Sequence, residues 1–520
     1  MRETSRQDNR LAAVLGRPLT TLQSVLGWVV ASAVFFVVVQ FIGGPVESDA
    51  AQSIYSTFLV QHGYLACIYP PPSHFHFPLV AAPYAFVAPL WPLLNGGLAA
   101  LLRIGQAAPF PHIGTNCANA TPVIYHWMGQ SNAVLDTIRL GYVAWVFLAG
   151  GVVAYLRALK RGATLWGSFA LLVIAVTPSV WMPLTQYFHP QDIVAMGLSL
   201  VGLSLVYRDR WLWGGVVLGL AFTSQQFAVL PIAVVLVIAT RQRYPKLLGG
   251  LSLGVGGIAL PLLVVTSGHA LHTILLGSSR NLMLSAGGTV LWEAHLQGVT
   301  RFFASRMLPV IVVLLVTWLA KRRWGERLFT PVAFSSLVAF SLVARLVFEV
   351  NLFGYYFMAT AVALVLLDIV RERVRGATVV WLLVTAVAFN PIPFGFVSND
   401  HNPLNADLYR YLPLAVIAVF AVMSTVSVVK RRVRWIWLAG LAIVVPVEWQ
   451  MATSLSYGES FVPHWAWQVI LVPWAVALIV SATKNETLED DLGAQPLGVP
   501  LRLTGDTGSR LAESASSRPE

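Results

Sequence analysis

The sequence predicts an all-α polytopic membrane protein of about 14 transmembrane helices. Three observations predict it. Of 520 residues, 57% are hydrophobic and 11% charged, with a mean hydropathy of +0.70; soluble domains carry about 25% charged residues. Apolar runs long enough to span a bilayer recur along the chain. Basic residues fall in short clusters between those runs, in every second connection, which is how topology is encoded. A net charge of +11 on a soluble chain would suggest nucleic acid. Here the charge sits between spans, so membrane lipids and not nucleic acid are the expected surroundings.

Residues 1–21 form a basic N-terminus with Arg2, Arg6, Arg10 and Arg17, which stays in the cytoplasm. The apolar run 22–42 is too long for a signal-peptide core and reads as an uncleaved anchor. The next good span is 139–156, followed by Arg157, Lys160 and Arg161, which also belong inside. Residues 44–138 are then one external loop. Within it 83–102 is apolar but broken by Pro and Gly, and reads as interfacial helix, with a re-entrant hairpin as the alternative. Further spans are expected at 163–183, 191–207, 211–224, 226–240, 247–266, 307–320, 329–346, 353–370, 377–394, 411–429, 435–451 and 465–482. The pair in 211–240 is short and Gly-rich and could be one broken helix. Both termini are expected in the cytoplasm, the transmembrane domain spans 22–482, and 483–520 reads as a disordered tail.

The chain has two cysteines, Cys67 and Cys117, both in the first external loop. An even count on an oxidising face predicts one disulfide closing a loop of roughly 50 residues; two free buried thiols are the alternative.

Polar residues gather in the external connections. Glu47 and Asp49 stand two apart just after the first span. On an extended segment they would share a face, and on a helix they diverge. Either acid suits general-base work, while Asp49 also suits a helix N-cap. The turn Gln186-Tyr187-Phe188-His189-Pro190-Gln191-Asp192 is dense in polar groups for so short a connection. An N-cap role explains Asp192 but neither His189 nor Gln191, and a His there can donate to a phosphate or sugar hydroxyl. Arg280, among hydroxyls at 277–281, is a candidate anion contact, with headgroup snorkelling as the bland alternative. Arg345 and Glu349 are spaced to pair on one helix face, and Tyr355 and Tyr356 suit an aromatic belt or a sugar platform. The clusters at 398–407 and 448–464 are weaker candidates for acceptor binding. His74 and His76 are a poor ligand signature, and the chain has no phosphate loop or dinucleotide fingerprint.

The order of these features carries a resemblance. A short N-terminus, one span, an external loop opening on Glu47 and Asp49 and running through Gly63-Tyr64 to Tyr69-Pro70-Pro71, then His189-Pro190-Gln191-Asp192, resembles the GT-C superfamily of membrane glycosyltransferases. The His189–Asp192 turn looks like that of the polyprenyl-phosphate-mannose-dependent branch of actinobacteria, glycosyltransferase family 87 and its relatives. The resemblance covers mainly residues 22–265. It implies a GT-C-like fold in the cell membrane with an active site on the external face. It also implies transfer of a sugar, mannose by the family, from a polyprenyl-phosphate donor to a glycan or glycolipid acceptor of the envelope, with inversion. The acceptor-activating base falls by position on Asp49, with Glu47 second. Candidate substrate contacts are His189, Gln191, Arg280 and Tyr355. No cofactor is called for; some superfamily members use a divalent metal. A transporter or lipid flippase is the competing function, and would need ionisable groups deep within spans.

Overall fold

The computed structural model describes residues 18–42, 47–68, 89–103, 138–159, 164–185, 188–266, 298–349 and 354–372, with scattered residues in 112–127, 291–296, 378–382 and 476–480. Among them all extended regular structure is helical, and an isolated β-bridge joins Pro18 to Thr164. In chain order the helices are α1 (Thr21–Ile42), α2 (Glu47–Gln61), α3 (Leu90–Leu101), α4 (Ala144–Ala158), α5 (Leu165–Val176), α6 (Pro178–Thr185), α7 (Pro190–Tyr207), α8 (Trp211–Ser224), α9 (Val229–Ile238), α10 (Tyr244–Val265), α11 (Gly298–Trp324), α12 (Pro331–Phe348) and α13 (Met358–Val370).

Six helical segments are long and apolar enough to cross a bilayer: those of α1, α4 with its preceding turn, α7, α10, α11 and α12. A seventh span arises if α5 and α6, bent by 49°, are counted as one. The bend has a local cause. Thr177 precedes Pro178, whose ring drives the residue before it out of the helical region, and Thr177 adopts φ −74°, ψ 120°. The protein is therefore a membrane-embedded helical bundle.

About 14 full spans were expected, and the described residues hold fewer. The expected spans 211–224, 226–240 and 353–370 fall on α8, α9 and α13, which are shorter apolar helices. At 1.5 Å per residue, α8 and α9 rise about 21 Å and about 15 Å, short of the ~30 Å hydrocarbon core. Extended backbone at Gln225 (φ −159°, ψ 140°) separates them, so they form a pair and not one bent rod. The expected spans from 377 onward, and the tail, lie almost entirely outside the described residues.

Helices α7, α12 and α13 are buried along most of their length. By contrast α1, α10 and α11 present exposed apolar side chains such as Val29, Leu260 and Ile311, the surface a lipid-facing helix needs. Bare backbone contact joins α8 to α10. Gly215 and Gly219 on α8 face Gly250 and Gly254 on α10, two small-xxx-small stripes that interlock. A Cβ on Gly250 would run into the Leu212 carbonyl and come within 3.0 Å of Gly215 Cα. Gly250→Val is expected to destabilise the fold by about 1–3 kcal/mol through overpacking, seen as an earlier thermal unfolding in detergent. An unchanged transition would mean this pair is not packed so closely.

The described residues of the first loop belong to a second, smaller core. Buried Ile54, Phe58, Cys67, Ile113 and Trp127 cluster together with Phe188 and Leu262 from the bundle. The disulfide Cys67–Cys117 forms, with Cα atoms 5.3 Å apart. The apolar 83–102 segment supplies α3, whose 12 residues rise only about 18 Å and cannot span. Asn95 Nδ2 donates to Thr57 Oγ1 on α2 at 3.2 Å, and Gln61 Nε2 to the Ala99 carbonyl at 3.3 Å. Trp91 meanwhile packs into the main core.

The bundle has two chemically different ends. At one, three basic connections meet. Asp209 pairs with Arg243 at 2.9 Å and accepts from Trp211 Nε1 at 2.7 Å. The Arg243 guanidinium lies over the Trp211 and Phe329 rings, and Lys321 Nζ donates to the Val237 and Ala239 carbonyls. Arg208, Arg210, Arg241, Lys246, Arg322 and Arg323 are exposed around them. The other end holds a buried polar cluster.

Candidate functional site

That cluster is assembled from helix ends. Pro190 opens α7 at a position that needs no N–H donor. The residue before it, His189, is held at φ −113°, ψ 58°. Phe188, at φ 49°, turns the chain through a left-handed conformation and buries its ring in the loop core. Gly141 makes room for that ring: a Cβ there would sit 2.7 Å from Phe188 Cε2. Loop core and turn are thereby locked together.

From this turn project His189, Gln191 and Asp192, each buried. Gln191 Nε2 donates to His189 Nδ1 at 3.2 Å, which places the imidazole proton on Nε2. The His189 ring stacks on Tyr355 with centroids 4.5 Å apart, and Tyr355 meets Tyr356 edge to face. The break between α8 and α9 reaches in from another side. Gln225 Nε2 donates to Asp192 Oδ1 at 2.6 Å, Gln225 Oε1 accepts the Gln226 N–H, and Ser224 Oγ donates to the Gln191 carbonyl. Asp192 Oδ2 and Gln191 Oε1 are buried and have no hydrogen-bond partner among the described residues.

The charges come from α11 and α12. Glu349, 3% exposed, receives Arg345 Nε at 3.0 Å on one oxygen and Arg306 Nη1 at 3.5 Å on the other. The Arg345 guanidinium lies over the Tyr356 and Phe227 rings, 4.5 and 5.1 Å from their centroids, and interacts electrostatically with Asp192. Arg306 keeps 34% of its side chain exposed.

Burial pulls the His189 pKa from 6.5 down to about 3, and the nearby Arg345 charge pushes the same way. The imidazole is neutral at neutral pH, with its proton on Nε2. The sign for stability follows. The unfolded imidazole takes a proton near 6.5 and the folded one resists until about 3. Stability from this group is therefore complete above pH 6.5 and declines as pH falls towards 3. His62, also lowered by burial, acts in the same direction. Thermal unfolding is expected to move earlier between pH 7.5 and 5.5, and His189→Gln to flatten that slope. An equal slope in the variant would contradict a buried neutral His189.

Of the residues singled out in the sequence, His189, Gln191 and Tyr355 are brought together here, and Arg345 and Glu349 form the expected pair. Arg280 lies outside the described residues, as do His74, His76 and the clusters at 398–407 and 448–464. Glu47 and Asp49 fall in the first turn of α2, with their side chains outside the described set. The helix already begins at Glu47, so Asp49 is not its N-cap. The two acids are roughly 200° apart around the helix axis, which removes the shared-face arrangement. Nor does Asp192 cap α7: the cap position is His189, without a side-chain cap bond, and the Asp192 carboxylate turns to Gln225.

Sequence reasoning missed Gln225 and Arg306. Gln225-Gln226 is a polar pair between two apolar runs, a signal that could have marked the first. Nothing local distinguishes Arg306 from a snorkelling residue at a helix start. Among the described residues no group of three or more His, Cys, Asp and Glu could hold a metal ion. No protein-family model, curated protein or solved structure matches the chain.

Proposed function

We propose that this protein is a GT-C-like membrane glycosyltransferase. It moves a sugar, mannose by the resemblance, from a polyprenyl-phosphate donor to a glycan or glycolipid acceptor of the cell envelope. The observation that carries this is the convergence of His189, Gln191, Asp192, Gln225, Arg345 and Tyr355 in one buried cluster at the end of the bundle away from the basic connections. Positive connections stay in the cytoplasm, so this end faces outward, where the phosphate and sugar of a lipid-borne donor sit. Both termini are then cytoplasmic.

The chemistry assigned to the site is a single displacement with inversion. The acceptor oxygen bonds to the sugar anomeric carbon as the bond from that carbon to the phosphate oxygen breaks. The acceptor proton passes to Asp49, and polyprenyl phosphate leaves. Arg306 and Arg345 balance Glu349 and Asp192 in charge, and their guanidinium N–H groups suit the phosphate. Neutral His189 suits a phosphate or sugar oxygen as donor, and Arg280 is a further phosphate contact in the same proposal. The test is product formation: purified protein in bilayers, given polyprenyl-phosphate-mannose and an envelope lipid fraction, yields a new glycolipid. No sugar transfer to any fraction would overturn the proposal.

One observation favours a different function. Asp192 is a buried carboxylate on a candidate span, the kind of group an ion-coupled transporter or lipid flippase uses. In that case a labelled lipid changes leaflet without any new glycolipid appearing.

A further inference from the structure

The unsatisfied acceptors in the cluster say what the site reads. Asp192 and Gln191 are 2% and 1% exposed, so water does not freely solvate them. Each uses one end of its side chain within the protein. Asp192 Oδ1 receives Gln225, and Gln191 Nε2 donates to His189. Each leaves the other end, Oδ2 and Oε1, without a donor among the described residues. A buried acceptor without a donor is unfavourable, and two on consecutive residues compound the cost. Three neighbouring donors are directed elsewhere. The Gln225 amide is directed to Asp192 Oδ1, Ser224 Oγ to the Gln191 carbonyl, and Arg345 Nε to Glu349.

An ionised carboxylate and an amide oxygen only accept, so the missing group must present hydrogen-bond donors. A cation would meet the Arg345 charge, which interacts with Asp192, and is disfavoured there. A phosphate offers acceptors alone and would be repelled by Asp192. Neutral hydroxyls remain, and a hexose carries several on adjacent carbons.

We propose that Asp192 Oδ2 and Gln191 Oε1 receive hydroxyl groups of the sugar on the lipid donor, making this pair the specificity determinant and leaving the phosphate to the arginines. This rests on the glycosyltransferase proposal above. It predicts a division of labour within one cluster. A site built to bond a hydroxyl rejects an analogue lacking it far more strongly than an apolar pocket rejects a size change.

The experiment uses the full chain in lipid nanodiscs and measures binding of polyprenyl phosphate, its mannosyl form and a series of mannosyl forms each lacking one hydroxyl. The wild type is expected to bind at least one deoxy form about tenfold or more weaker than the full donor. Asp192→Asn, close to isosteric, should weaken the mannosyl donor by a similar factor, ignore the loss of that same hydroxyl, and bind sugar-free polyprenyl phosphate as the wild type does. Gln191→Met, which removes the other acceptor at similar volume, carries the same expectation if Asp192→Asn does not fold. Equal weakening of the sugar-bearing and sugar-free lipids would overturn the proposal, and so would unchanged discrimination among the deoxy forms. If the wild type binds polyprenyl phosphate yet treats every sugar form alike, the subsite fails while the donor class stands. If it binds neither lipid, the donor class falls too, and the subsite with it.

Discussion

Asp49→Asn is expected to lower sugar transfer by about 10²–10⁴-fold, the usual contribution of a positioned general base, with no loss of folded protein. Asn has nearly the same volume but cannot take the acceptor proton. The expectation rests on the position of Asp49 in the first turn of α2, directly after the first span, and on the base that a GT-C-like transferase needs there. Glu47→Gln is expected to cost much less. The helix places the two positions on different sides of its axis, and the proposal assigns the proton to Asp49. The check is initial rate at saturating donor alongside thermal unfolding. Comparable losses in the two variants would argue against a single base. A full rate in Asp49→Asn would remove the assignment.

Glu349→Gln is expected to destabilise the protein by about 3–5 kcal/mol. Glu349 is buried and accepts from Arg345 and Arg306 at once. Neutralising it leaves two guanidiniums facing each other, and Arg345 is the less solvated of the two, with 13% of its side chain exposed against 34% for Arg306. Removing one partner of a buried ion pair is costly because the remaining charge stays desolvated, whereas removing both can be nearly neutral. The double variant Glu349→Leu with Arg345→Met should therefore recover much of the stability lost by the single one. Donor binding should not return, because one of the cations proposed to hold the phosphate has gone. The check is a double-mutant cycle on thermal unfolding beside binding of polyprenyl phosphate. Additive losses would mean that the two residues act independently.

What the sequence revealed and what it concealed differ in range. Signals within one segment were legible. The apolar runs, the basic connections, the Cys67–Cys117 disulfide and the Arg345–Glu349 pair all follow from composition or from spacings along a single element. Three basic connections that the sequence placed on one side do meet at one end, through Asp209, Arg243, Trp211 and Phe329. Links across the fold were not legible. Gln225 reaches Asp192 over 33 residues and Arg306 reaches Glu349 over 43, and no local periodicity encodes such pairings. Asp192 was misread for this reason. An Asp ahead of an apolar run fits a helix cap, and only tertiary structure turns it towards a glutamine on another helix. Span lengths misled as well. Fourteen residues of apolar sequence look like a span, yet α8 and α9 gain from stopping at Gln225, where their polar ends complete the cluster.

The most direct measurement is photo-crosslinking with a polyprenyl-phosphate-mannose carrying a diazirine on its sugar, followed by mass spectrometry of the labelled peptides. Labels are expected in the peptides holding residues 188–192, 225–227 and 345–356, and unlabelled donor should compete them away. Competed labelling confined to the basic end, around Arg208, Arg243 and Lys321, would contradict the account.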